Sequence, residues 1–148
     1  MPRLLRRVAA VTLLLALAAL AFALPASAGG RPIHVALTGA AERPGPGDPD
    51  GSGTAAFTFN RGTGEVCWTI DVEGITLPAA AAHIHVAPVT DPGPIVIGLT
   101  APDATGHSSG CVTADRALVK AITKDPGAYY VNVHTSDLPA GALRAQLG

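Results

Sequence analysis

Alternation of apolar and polar residues recurs along this chain in short segments, the period-two signature of strands that rest one face on a core. Ile33, Val35 and Leu37 point inward from the first segment, with His34 outward. Ala55, Phe57 and Phe59 form the apolar row of Gly53 to Asn60, and Val66, Trp68, Ile70 and Val72 that of Glu65 to Val72. The Arg61-Gly62-Thr63-Gly64 turn between them makes a hairpin and places the single Trp in the core. Further strands are predicted over Ala82 to Val86, Ile95 to Thr100, Tyr129 to Thr135 and Ala142 to Leu147. Ile95 to Thr100 reads as buried, and Leu143, Ala145 and Leu147 face in with Arg144 and Gln146 out. One helix is predicted, from Thr113 as N-cap to Lys124, with Leu118, Val119 and Ile122 on its apolar face and Pro126-Gly127 as its stop. About seven strands and one short helix predict an all-β fold, an antiparallel Greek-key-like β-sandwich.

Two of these strands carry chemistry. In Ala82-His83-Ile84-His85-Val86 the two histidines share the face opposite Ala82, Ile84 and Val86. In Tyr129 to Thr135 the residues Tyr129, Val131 and Val133 are apolar, while Tyr130, Asn132 and His134 form the polar face. If the two strands neighbour each other, three imidazoles meet on one face. Residues two apart on a strand have Cα atoms about 6.5–7 Å apart, close enough for both rings to reach one ion. The alternative is a hydrogen-bonded polar cluster of these histidines with Asn132 and Tyr130 that binds nothing.

The N-terminus changes the picture of where this happens. Arg3, Arg6 and Arg7 precede an apolar run from Val8 to Leu24, then Pro25 and Ala26-Ser27-Ala28, a secretory signal over residues 1–28 with an A-x-A cleavage site. An uncleaved anchor is the rival, but the run falls short of the ~20 residues a span prefers. The remaining segment, 29–148, has the size of one domain and buries about two-thirds of its unfolded surface. Seven basic against eleven acidic residues leave it at −4, with no basic patch for nucleic acid and no second apolar run to span a membrane. Cys67 and Cys111 are an even pair in an exported chain and are expected to form a disulfide, worth about 4 kcal/mol as an upper value.

Two motifs are decoys. Asp48-Pro49-Asp50-Gly51-Ser52 suggests a calcium loop, but Phe59 stands where an EF-hand needs its Glu. Gly106-His107-Ser108-Ser109-Gly110 matches G-x-S-x-G, yet no parallel sheet is available to build a nucleophile elbow, and the segment is expected to be a polar loop.

Leu37-Thr38-Gly39-Ala40 with the Pro/Gly loop after it, Ala82-His83-Ile84-His85, Gly93-Pro94-Ile95-Val96, Tyr129 to Thr135 and Pro139 to Leu147 together resemble a CHRD (chordin-type) domain. The resemblance spans nearly all of the mature chain and implies an extracellular β-sandwich without an established activity. The chain departs from the family in Gly141-Ala142-Leu143-Arg144-Ala145-Gln146, where Ala142 replaces a usual Glu. A weaker likeness is to copper–zinc superoxide dismutases, in which His83, His85 and His134 would match copper ligands and Arg144 the substrate-guiding arginine. The chain has too few nitrogen ligands for that two-metal site.

With no activated nucleophile and no paired carboxylates, the expected function is a non-enzymatic, extracytoplasmic binding module. Its partner is an extracellular protein or a metal. The alternative is a metal-binding protein, copper first among the candidates, with His83, His85 and His134 as ligands and Tyr130, Asn132 and Arg144 nearby.

Overall fold

The computed structural model describes residues 32–148, so the signal-like segment and its cleavage site lie outside the described residues. Eight antiparallel strands form one sheet, and a single short helix packs with them. The strands are β1 (Ile33–Thr38), β2 (Ser52–Phe59), β3 (Glu65–Glu73), β4 (Ala81–Val86), β5 (Ile95–Leu99), β6 (His107–Thr113), β7 (Tyr129–His134) and β8 (Leu143–Gln146), with the helix α1 (Arg116–Lys124) between β6 and β7. Their spatial order is β5-β4-β7-β8-β1-β2-β3-β6.

The joint between the halves is thin. β8 and β1 pair only at Thr38 and Arg144, whereas β1 and β2 pair over six residues. The sheet therefore folds at that seam into two four-stranded layers. Between them lies one core, drawn from Phe57, Trp68 and Ile70 on one side and Ile84, Val131 and Leu143 on the other. Ile70, Ile84, Val131 and Leu143 are fully buried, and Trp68 takes its predicted place among them. The Trp68 indole N–H donates to Ser108 Oγ at 3.0 Å, and that hydroxyl donates onward to the Thr100 carbonyl, so the one polar atom of the ring has a partner inside the core.

The β2–β3 hairpin turns where expected. Asn60 Oδ1 accepts the backbone N–H groups of Gly62 and Thr63, and Gly64 closes the turn at φ +83°, a conformation that glycine adopts without a Cβ clash. Cys67 and Cys111 face each other directly across β3 and β6 and form a disulfide.

Four expectations need correction. His107–Thr113 is an eighth strand rather than a polar loop: its seven residues pair with β3 from Asp71 to Glu65, and a polar composition is compatible with a strand whose outer side faces solvent. The helix is capped by Asp115, whose carboxylate accepts from Ala117 and Leu118, because Thr113 is still engaged in β6. β5 is an edge strand with only Ile97 buried, and Ile95 is largely exposed. Finally, Arg144 does face away from the core, but it is 1 % exposed, because loops cover that face of the sheet.

A candidate metal centre on the outer face of β4 and β7

β4 and β7 are antiparallel neighbours, with His83 opposite Asn132, His85 opposite Tyr130 and Ala81 opposite His134. Their alternation sends Ala82, Ile84, Val131 and Val133 into the core and sends the three histidines together to the other face. One ring nitrogen from each of His83, His85 and His134 lies within 4.8 Å of the other two. His83 Nδ1 and His134 Nε2 are 3.2 Å apart. Two nitrogens bound tetrahedrally to one ion at about 2.0–2.1 Å stand about 3.3 Å apart, so this pair already has the spacing of two ligands.

Two of the rings are held from behind. His85 Nδ1 donates to the Gly93 carbonyl at 2.8 Å, and His134 Nδ1 donates to the Pro139 carbonyl at 3.0 Å. Each bond fixes the tautomer and leaves Nε2 with its lone pair, the arrangement by which proteins orient metal-ligating imidazoles. His85 Nε2 lies 3.0 Å from Asn132 Oδ1; with Nδ1 donating to Gly93, the two side chains bond only when the amide turns its NH2 toward the ring. An ion taking this nitrogen would replace the Asn132 contact.

The proton affinities agree with a lone-pair site. Burial, reinforced by the neighbouring His134 and His85, lowers the pKa of His83. Burial also lowers that of His134, against the opposing bond to Pro139.

Around the imidazoles the polar face is closed by the loop from Ala87 to Pro94. His85 stacks flat on Tyr130, with centroids 4.7 Å apart and planes at 5°. The Arg144 guanidinium lies over the Tyr130 ring, 3.5 Å from its centre, as a cation–π contact. Arg144 also donates to the carbonyls of Asp91 and Pro88 and to Gln146 Oε1, while Tyr130 Oη accepts the Gly93 N–H. Gln146 in turn donates to Ala87 and Gly127. Arg144 is thus a clasp for the loop that holds His85. Its guanidinium is spent on loop carbonyls rather than presented at the mouth of the site, unlike a substrate-guiding arginine.

Sequence pattern brought Tyr130, Asn132 and Arg144 to this face, and the structure places all three beside the imidazoles. It did not find Glu42. This residue is 3 % exposed, its Oε1 accepts the Arg43 N–H, and its Oε2 has no hydrogen-bond partner among the described residues. Burial pushes its pKa up to about 7, against the opposing pull of the Arg43 N–H and the Arg144 and Arg43 charges. Glu42 follows a short 3-10 turn and belongs to no alternating segment, so no periodic signal marks it. The Gly93 and Pro139 carbonyls were equally illegible, because backbone acceptors leave no residue-type signature.

Among the described residues no helix is long and apolar enough to cross a membrane. A family model described as the CHRD domain matches residues 33–147. No curated protein matches the chain.

Proposed function

The chain belongs to the CHRD domain family, and we propose that it works outside the cytoplasm as a non-catalytic binding module whose ligand is a copper ion held by His83, His85 and His134. The family match supports a binding module. The observation that carries the metal is the pair of backbone carbonyls behind His85 and His134, which leave both Nε2 atoms unprotonated and facing other side chains on a face where a third imidazole converges. An all-nitrogen set without carboxylate or thiolate suits copper, which also stands above zinc in affinity for a given nitrogen site. Three protein ligands leave a coordination position open.

The cross-strand disulfide and the signal-like N-terminus support export, since such bonds persist in oxidising compartments. Titration of the metal-free protein with Cu(I) and Cu(II) tests the site. One equivalent is expected to bind, with affinity lost as pH falls from 6.5 through the lowered pKa values of His83 and His134 and protons compete for the imidazoles. Binding no tighter than that of the triple variant His83→Gln/His85→Gln/His134→Gln would return the histidines to a purely structural role.

A further inference from the structure

The three candidate ligands are not held alike. His85 and His134 are each tied to a backbone carbonyl, at Gly93 and Pro139, and His85 is further stacked on the buried Tyr130 ring. His83 has no such tether: among the described residues its only side-chain hydrogen bond is to His134 Nε2, the atom an ion would bind. Beside it, the cross-strand partner of His83 on β5 is Gly98. Cross-strand partners share a face, and no atom lies within 4 Å of where a Gly98 Cβ would stand. His83 therefore borders open space without a tether, whereas His85 is buried and His134, half-buried like His83, is tied to the Pro139 carbonyl.

Resting on the copper reading above, we infer that His83 is the exchange ligand of this site: an incoming donor binds the ion at its open position and displaces His83, which swings into the space over Gly98 while His85 and His134 still hold the ion. The step is a ligand substitution. One copper–nitrogen bond breaks as one copper–donor bond forms, and the oxidation state of the ion does not change. The incoming donor is on before His83 leaves, so the ion keeps the two tethered imidazoles throughout. This would make the module a carrier that surrenders copper to a competing donor by association, faster than simple dissociation allows.

The test fills the space without touching a ligand. Gly98→Val adds a β-branched side chain to an exposed strand position with no positive-φ requirement, a change that strands favour. Thermal unfolding will establish that the variant folds. Protein loaded with one equivalent of Cu(I) is mixed in a stopped-flow instrument with bicinchoninate, a bidentate Cu(I) chelator, and the rate of transfer is followed against chelator concentration.

In the unaltered protein the rate is expected to rise with chelator concentration. In Gly98→Val, capture and release should slow together by about tenfold while Kd stays within about twofold, because a blocked path changes both rates alike. Removing His83 as His83→Gln should speed transfer, whereas His85→Gln and His134→Gln should lose more affinity than His83→Gln does. A rate independent of chelator, or a Gly98→Val variant that transfers at the unaltered rate, would overturn the exchange role while leaving the copper site standing. Failure of the unaltered protein to bind one equivalent of Cu(I) would instead overturn the copper site itself.

Discussion

The layer formed by β4, β7 and β8 is buried on its inner face and over much of its outer face, and the two are covered by different physics. On the inner face Ile84, Val131, Val133 and Leu143 lose all contact with water, with no polar side chain among them. On the outer face Tyr130, Asn132 and Arg144 are almost as inaccessible, yet each is polar and each is tied by directed contacts to neighbouring rings, amides or loop carbonyls. The inner face gains from area removed from water, which is non-directional and tolerates rearrangement. The outer face gains from satisfied hydrogen bonds, which fix positions to fractions of an ångström and are costly to leave unmade. A layer built in this way uses one face to fold and the other to fix polar side chains in place.

The largest expected effect belongs to the inner side. Trp68→Ala should cost about 3–5 kcal/mol in urea unfolding, because the ring fills the core and its N–H is already paired there. Strong acrylamide quenching of Trp68 in the folded protein would contradict its burial. Removing the disulfide with Cys67→Ala/Cys111→Ala should cost up to about 4 kcal/mol and leave the fold intact, since the core does not run through it.

On the outer side, Arg144→Ala should cost about 2–3 kcal/mol, because it strips a charged donor from two loop carbonyls and a cation from the Tyr130 ring. Its distinguishing consequence is local. Hydrogen exchange of the Gly93 amide should accelerate as the loop loosens, and Arg144→Lys should not restore protection, because an ammonium cannot replace the planar guanidinium. Equal acceleration in the core strands would mean that Arg144 merely supports global stability.

The smallest effects are in the pH profile, where the two kinds of buried group oppose each other. Glu42 has its folded pKa raised from 4.5 to about 7, so its contribution is fully present below about 4.5 and is lost as pH rises through about 7. His83 and His134 have lowered folded values, so their contribution is present above 6.5 and is lost as pH falls from 6.5 through those values. Glu42→Gln should therefore remove a fall in the stability of metal-free protein between about pH 4.5 and 7, and His83→Gln/His134→Gln should remove a rise just below pH 6.5. Unaltered slopes in either variant would show that the group titrates normally in the fold.

Much of the inner face was legible in the sequence, and the outer face only half. Period-two alternation reports which residues share a face, so it put His83 with His85, and Tyr130 and Asn132 with His134; the pairing of β4 with β7 joined the two sets. It does not report whether the second face meets water. That depends on loops such as Ala87 to Pro94, whose course is fixed by contacts with Arg144 and Gln146 rather than by any pattern of their own. Arg144 was accordingly placed outward, on the right face but in the wrong environment. The missed strand has a related cause: His107 to Thr113 has polar residues at most positions, and it holds its place through pairing with β3, the disulfide and the Trp68–Ser108 bond. Non-local contacts of this kind have no footprint in local sequence.

The central claim is that the outer face is organised to place three imidazole nitrogens on one ion. Copper-edge X-ray absorption of the protein carrying one equivalent of Cu(I) measures this most directly. The account predicts a first shell of three nitrogens at about 2.0–2.1 Å with the outer-shell scattering of imidazole rings, reduced to two in His83→Gln. A first shell with fewer than three imidazoles in the unaltered protein, or one unchanged by all three His→Gln substitutions, would contradict it.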